Sequence, residues 1–318
     1  LESTKNIDYA IKSVKANKDS TYSIKLQRKG EMQMPIDLEV VDLNDSIYNF
    51  YIPNNWFEKN TTAQVLPRWI GWDRLQPSYE AVIKTSAPIR EVSIDPKSAM
   101  ADVKKLNNTT GSKIDIQFDH GINNLPNFEK YELFIRPDLW YNGYDGLKIG
   151  FHINGDYADF MHKLHLSVWA NNRLGQYENY FLAEDRNAIN PVSYNLIYET
   201  PTPVILNSSS IKLESHFLDG LFRNAAGFKM PFKNRRTNLT LQAVSLHRPR
   251  QQDLNYLIYS GQWDFDQWNN FAELKLEHKY LYPFGRGEIE LSGRTSGLFS
   301  DYSYNFVRLN VKNDNRLG

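Results

Sequence analysis

The chain has 318 residues, in which 37 Lys and Arg balance 37 Asp and Glu, and it contains no cysteine. This length exceeds the usual single domain of roughly 100 to 200 residues, so two domains are expected. The neutral charge balance argues against nucleic-acid binding, which normally goes with a basic excess. The lack of cysteine excludes disulfides, thiol chemistry and Cys-ligated zinc.

The sequence shows neither a membrane-spanning helix nor a signal peptide. No apolar run approaches the roughly 20 residues that a spanning helix needs, and the N-terminus "LESTKNIDYA" lacks a basic-then-apolar pattern. The chain begins and ends without an evident natural boundary, so we treat it as a possible fragment of a longer, exported protein.

Apolar and polar side chains alternate with a period of two through the first hundred residues, which is typical of half-buried strands. The clearest runs lie at residues 22–26, 36–40, 48–52, 79–84 and 89–94. Pro35 limits its strand to an edge position or to a strand start. A spacing of about ten residues per strand indicates a small β-sandwich over residues 1–108.

The segment "NNTTGS", residues 107–112, is small, polar and turn-prone, and it predicts the boundary between two domains. Beyond it the alternating runs are longer, as in "DGLKIGFHINGD". Residues 109–318 are therefore predicted to form a larger antiparallel, barrel-like β domain with long strands, open to continuation past its C-terminus. Ser98–Lys105 and Asp219–Ala226 offer at most a turn or two of helix, so the fold class is all-β.

The length of these later strands raises the question of a membrane. Runs of about ten to twelve residues exceed the soluble mode of about 5 to 6 and match the roughly 9 to 11 residues of a tilted membrane strand. The apolar faces of residues 147–153 and 164–170 carry no charge. The core of a soluble barrel or sandwich would leave the same pattern. We favour association with an outer membrane, and a soluble two-domain β protein is the alternative.

Motifs for hydrolytic and metal chemistry are missing. The sequence has no H-E-x-x-H helix, no G-x-S-x-G elbow and no glycine-rich phosphate loop. His162 and His165 are three residues apart, so on a strand they would point to opposite faces. Asp264 and Asp266 share a strand face, which a glycosidase could use, but a polar strand face explains them more simply.

Asp115, Asp119 and His120 could be imagined as a metal site, but a polar strand face that ends in a turn explains them at least as well. No catalytic residue, metal ligand or cofactor is therefore assigned to this chain.

Aromatic side chains gather in two segments, "RPDLWYNGYDG" and "YSGQWDFDQWNN". Aromatic residues near the ends of long strands can form the interfacial girdle of a membrane barrel, stack on sugar rings or fill a core. The candidate surface or membrane-interface residues are Trp140, Tyr141, Tyr144, Tyr259, Trp263 and Trp268.

Three segments resemble a known family: "MPIDLEV", "SIDPKSAMADV" and "RPDLWYNGYDGLKIGFHINGDY". They are similar to the region that follows the catalytic domain in a bacterial branch of the membrane alanyl aminopeptidase family of zinc metallopeptidases. In that branch a small β-sandwich precedes a C-terminal region resembling an outer-membrane antiparallel barrel. The H-E-x-x-H helix, the downstream Glu ligand and the G-x-M-E-N loop of the family are missing from these residues, so no catalytic or metal residue is transferred.

The resemblance implies a noncatalytic C-terminal portion that braces an upstream catalytic peptidase domain and supplies a barrel-like module for attachment or substrate handling. Zinc is then expected only in that catalytic domain, and the location is extracytoplasmic, in the periplasm or the outer membrane. The alternatives are an outer-membrane-associated assembly protein without peptidase activity and a carbohydrate-binding module. On any of these hypotheses the chain alone is expected to have no peptidase activity.

Overall fold

The computed structural model describes residues 5–56, 59–71, 75–120, 125–159, 161–176, 190–203, 205–206, 208–232, 236–249, 266–297 and 299–315. Their regular secondary structure consists of strands, apart from one turn of 3-10 helix, Lys105–Asn107. Within the described residues, no helix is long and apolar enough to cross a membrane. The chain divides into two compact units, the first made of Leu1–Asp115 and Leu125–Glu132 and the second of the remainder.

The first unit is a sandwich of two small sheets, with strand orders β1-β2-β6 and β5-β4-β3-β7. Its strands are β1 Tyr9–Ala16, β2 Thr21–Arg28, β3 Ile36–Asp42, β4 Ile47–Ile52, β5 Gln64–Val65, β6 Ser78–Lys84 and β7 Ile89–Ile94. The alternating apolar residues point inward, and Ile24, Leu38, Val40 and Val92 are almost completely buried. Pro35 lies immediately before β3, at a strand start as expected. The predicted small N-terminal β-sandwich is confirmed.

Two carboxylates hold the segment that closes this sandwich. Asp95, at the end of β7, has a positive φ of 51° and accepts hydrogen bonds from the backbone N–H groups of Ala99 and Met100 at 3.0 and 2.7 Å. Asp102 accepts from the backbone N–H of Tyr9 at 3.0 Å and from the side chain of Asn108 at 3.1 Å. Ser98–Lys105, which the sequence offered at most as a turn or two of helix, is thus shaped mainly by side-chain bonds to backbone donors.

Asp102→Ala is expected to lower the free energy of unfolding of the sandwich by roughly 1–3 kcal/mol, because it leaves the buried N–H of Tyr9 without an acceptor. Urea denaturation measures the change. Lys97→Ala, at an exposed position of the same segment, is the control and should have little effect. Equal stability of the two variants would contradict this role of Asp102.

The segment predicted as a linker belongs to the first unit. Thr109 forms an isolated antiparallel bridge with Ser93, and the backbone N–H of Thr110 donates to the carbonyl of Val92 at 3.0 Å. Its small polar residues therefore bond to β7 through their hydroxyl groups and backbone. The boundary between the two units lies later in the sequence, after Asp115.

The second unit is built on one sheet of eleven strands in sequence order, from β8 to β18. From β10 onward every neighbouring pair is antiparallel. The strands are β8 Ile114–Phe118, β9 Tyr131–Asn142, β10 Gly146–Tyr157, β11 Met161–Asn171, β12 Val192–Pro201, β13 Ser210–Leu218, β14 Leu221–Pro231, β15 Thr237–His247, β16 Trp268–Tyr282, β17 Gly285–Ser296 and β18 Asn305–Asn315. The predicted all-β class with a larger antiparallel domain of long strands is confirmed.

Two details of this sheet differ from expectation. In the described residues it does not close into a barrel, since β8 and β18 are its two edges; alternation determines which way side chains face, not whether the first and last strands meet. The helical turn considered at Asp219–Ala226 is instead a tight hairpin. Asp219 and Gly220 both have positive φ, 52° and 68°, as an Asp-Gly turn between two strands requires.

Candidate functional site

Charged residues are confined to one face of the large sheet. In the paired stretches of β10 to β18, each Lys, Arg, Asp and Glu lies on the same side, which we call the charged face. One row shows the arrangement, because Lys163, Glu199 and Lys212 are successive register partners on β11, β12 and β13. The opposite side, the uncharged face, holds apolar, aromatic and small polar residues.

The charged face contains a cavity of about 440 Å³ that is crossed by ion pairs. Arg294 Nε lies 2.6 Å from the carboxylate of Glu273. Lys275 Nζ lies 3.2 Å from Glu277 and 2.9 Å from Glu290. A third group joins Glu214 to Lys212 and Arg223. Some of these ion pairs lie within one strand and others join neighbouring strands, and together they hold the carboxylates of the cavity wall in position.

The uncharged face is apolar in its middle and remains accessible. Leu241, Leu274 and Leu309 are 53%, 52% and 65% exposed although they lie in the centres of their strands. Register places Phe228, Leu241, Leu274 and Val307 on one continuous row across β14 to β18, with Gly293 between the last two.

Aromatic residues border this apolar region at both strand ends. At one end the ring of Phe217 stacks on Phe222 at 3.9 Å, and Trp268 stacks on His247 at 4.2 Å. At the other end the hydroxyls of Tyr280 and Tyr282 bond to asparagine side chains of β18. Trp268 thus lies at a strand end of the uncharged face, where a girdle residue would be placed.

The other predicted aromatic residues occupy different environments. Trp140 is half-exposed and packs edge-on against Trp169 at 5.5 Å, while the Tyr141 hydroxyl donates to the carbonyl of Gly175 at 2.5 Å. Tyr144 is buried in the turn after β9, where its carbonyl accepts from Gln176. Tyr259 and Trp263 lie outside the described residues. The described members of the set therefore do not form one flat platform.

A buried ion pair beside these aromatic residues was not predicted from sequence. Lys148 and Asp145 are only 1% and 2% exposed, and Lys148 Nζ lies 2.5 Å from the Asp145 carboxylate. Lys148 also donates to Ser193 Oγ at 3.2 Å and lies 6.0 Å from the ring centre of Trp140. In sequence Lys148 looks like any polar-face residue, because alternation does not show how deeply a side chain is buried.

Asp219, in the β13–β14 turn, approaches the same pair, with its carboxylate 3.9 Å from Lys148 Nζ. Burial raises the pKa of Asp219 above its usual range, and the Lys148 ammonium opposes that shift only in part. The cluster thus combines a fixed ion pair with a second carboxylate at the strand ends.

The histidines behave as their spacing predicts. His162 bonds to the Tyr198 hydroxyl at 2.8 Å on the uncharged face, whereas His165 bonds to Asn154 at 2.6 Å on the charged face. They do not share a metal position. Asp119 lies 3.8 Å from Arg136 as an ion pair.

Asp266 is largely exposed, and Asp264 lies outside the described residues. Among the described residues, the single group of three carboxylates close enough to share a cation is Glu277, Glu288 and Glu290. The Lys275 ammonium bonds to both Glu277 and Glu290 and so occupies part of this group.

The sheet therefore separates an apolar, aromatic-bordered surface from a charged cavity. Comparisons with protein-family models, with curated proteins and with solved structures give no match to this chain.

Proposed function

We propose that the second unit is a membrane-attachment module whose uncharged face contacts the hydrocarbon of an outer membrane. The complete separation of charge between the two faces of β10 to β18 carries this proposal. A soluble monomer rarely exposes a large contiguous apolar surface. A Lys or Arg that faces lipid at mid-bilayer costs about 2–4 kcal/mol, so a lipid-facing surface is expected to exclude charges.

The dimensions of the uncharged face support the same proposal. Trp268 and Tyr280, at its two aromatic borders, are twelve residues apart on β16. Twelve residues span about 40 Å at about 3.4 Å per residue, which becomes about 29–33 Å of height at a strand tilt of roughly 35–45°. An apolar band about 25 Å tall between aromatic girdles fits within that height.

Refolding of the full chain from denaturant in the presence of phosphatidylcholine vesicles, followed by density-gradient flotation, tests the proposal. The chain is expected to float with the vesicles and to stay with them after extraction with alkaline carbonate. A monodisperse, cooperatively folded monomer in buffer without lipid or detergent would overturn it.

We further propose that this module belongs to a zinc aminopeptidase, as its noncatalytic C-terminal portion beside an upstream catalytic domain. Sequence resemblance supports this link, and Asp95 and Asp102, which lie in the resembling segment, shape the backbone of the sandwich. Residues with that role point to a shared domain and not to shared chemistry. An H-E-x-x-H helix encoded upstream in the full gene would support the link; its absence would favour a membrane assembly protein without peptidase activity.

A carbohydrate-binding module is less well supported, because Tyr144 is buried and Trp268 is stacked on His247. Binding to members of an oligosaccharide panel would support the carbohydrate-binding alternative.

A further inference from the structure

We propose that the cavity on the charged face is a binding site for a ligand with two or more oxyanion groups, such as phosphate, sulfate or carboxylate. The site consists of one row of side chains that crosses β13 to β18 and alternates hydroxyl groups with cations. The row is Ser210, Lys229, Thr240, Lys275, Ser292 and Arg308. This inference does not depend on the membrane proposal, because it concerns the opposite face of the sheet.

Register brings these residues together although they are far apart in sequence. Ser210 is the partner of Lys229, Lys229 of Thr240, Thr240 of Lys275, and the pairing continues through Ser292 to Arg308. All six residues line the same cavity. Cations and hydroxyls are the side chains that donate hydrogen bonds to phosphate and carboxylate oxygens.

Two cations of the row are available to a ligand. Lys275 is held by Glu277 and Glu290, but no carboxylate of the described residues forms a salt bridge with Lys229 or Arg308. Both are exposed in the cavity wall. They offer charge that the fold itself does not use.

Two hydroxyls of the row are equally available. In the described part of the chain, the side chains of Thr240 and Ser292 make no hydrogen bond, although Ser292 is only 3% exposed. The hydroxyl oxygens of both residues are accessible from the cavity, so a ligand or water there can supply the bond.

The carboxylates of the cavity are occupied, which leaves its unused groups cationic. Glu273 bonds to Arg294, Glu214 to Lys212 and Arg223, and Glu199 accepts from Ser210 at 3.0 Å. The lining holds five carboxylates and five cations, and of these cations Lys229 and Arg308 form no salt bridge with the described residues.

The spacing of the row defines the ligand. Neighbouring strands are about 4.8 Å apart, so Lys229 and Arg308, which are four strands apart, are separated by about 19 Å along the sheet, with Lys275 midway between them. A single small anion reaches one cation, whereas an elongated ligand with several oxyanion groups reaches two. We therefore expect tighter binding of tripolyphosphate than of inorganic phosphate.

Isothermal titration of the folded full chain at low salt tests this site, with tripolyphosphate, inorganic phosphate, sulfate and succinate as probes. Tripolyphosphate is expected to bind most tightly, and Lys229→Gln or Arg308→Gln is expected to weaken it at least tenfold. Lys25→Gln, an exposed lysine of the sandwich, removes the same charge and is the matched control. Thr240→Val tests the hydroxyls without changing the charge.

Thermal melting curves establish that each variant is folded before it is titrated. Failure of every probe to bind, or equal binding by Lys25→Gln and the two row variants, would overturn the proposal. Preference for succinate over phosphate would retain the site and identify the ligand as a carboxylate.

Discussion

Leu241→Arg is expected to destabilise the chain in lipid vesicles by about 2–4 kcal/mol, because it places a charge on the uncharged face near the middle of the strand. Leu241 is 53% exposed, so the substitution creates no cavity in a protein core. Its neighbours across the row, Phe228 and Leu274, are apolar and offer the guanidinium no partner. Urea titration of vesicle-bound chain, followed by tryptophan fluorescence, measures the loss.

Thr240→Arg is the matched control, one residue away on the opposite face of β15. Its side chain enters the charged cavity, where Glu277 and other acidic groups line the wall, so we expect a change well below that of Leu241→Arg. Equal losses for the two variants would show that the two faces meet the same medium, and would remove the membrane proposal.

Lys148→Met is expected to cost about 3–5 kcal/mol of unfolding free energy, because it leaves the buried Asp145 carboxylate without its cation. Ser193 remains as a hydrogen-bond partner of Asp145, but a hydroxyl does not neutralise the charge. The measurement is the same urea titration, made at neutral pH.

The double variant Lys148→Met with Asp145→Asn separates the ion pair from the packing. Removing both charges is expected to recover much of the loss, because no buried charge then lacks a partner. Lys312→Met, at an exposed position of β18, controls for the loss of a lysine from the charged face. A double variant no more stable than Lys148→Met would show that packing of the lysine stem, not charge pairing, is what matters.

Period-two alternation predicted the strands and their faces well. Leu147, Ile149, Phe151 and Ile153 share one face of β10, as their spacing requires, and Leu239, Leu241 and Ala243 do so on β15. This succeeds because side chains on a strand alternate regardless of what lies beyond the sheet.

What alternation could not show are properties that depend on contacts distant in sequence. The bond from Tyr9 to Asp102 and the bonds from Thr110 to β7 join residues that no local pattern connects. The burial of Lys148 likewise depends on the residues that pack around it. The row of hydroxyls and cations is invisible for the same reason, because each member lies on a different strand. The Asp219-Gly220 hairpin does carry a local signal, an Asp-Gly pair between apolar runs, but a helical turn was considered there instead.

The strand order of the two units implies different folding routes. In the large sheet each strand from β10 to β18 pairs with its neighbour in sequence, so a hairpin can form as soon as its second strand is available, at a small cost in loop-closure entropy. The sandwich cannot be completed in this stepwise way, because the bond from Tyr9 to Asp102 joins residues 93 positions apart. Domains with such separated contacts fold more slowly. During synthesis the hydrogen bond from Tyr9 to Asp102 therefore cannot form until Asp102 has emerged, whereas the large sheet can grow one strand at a time.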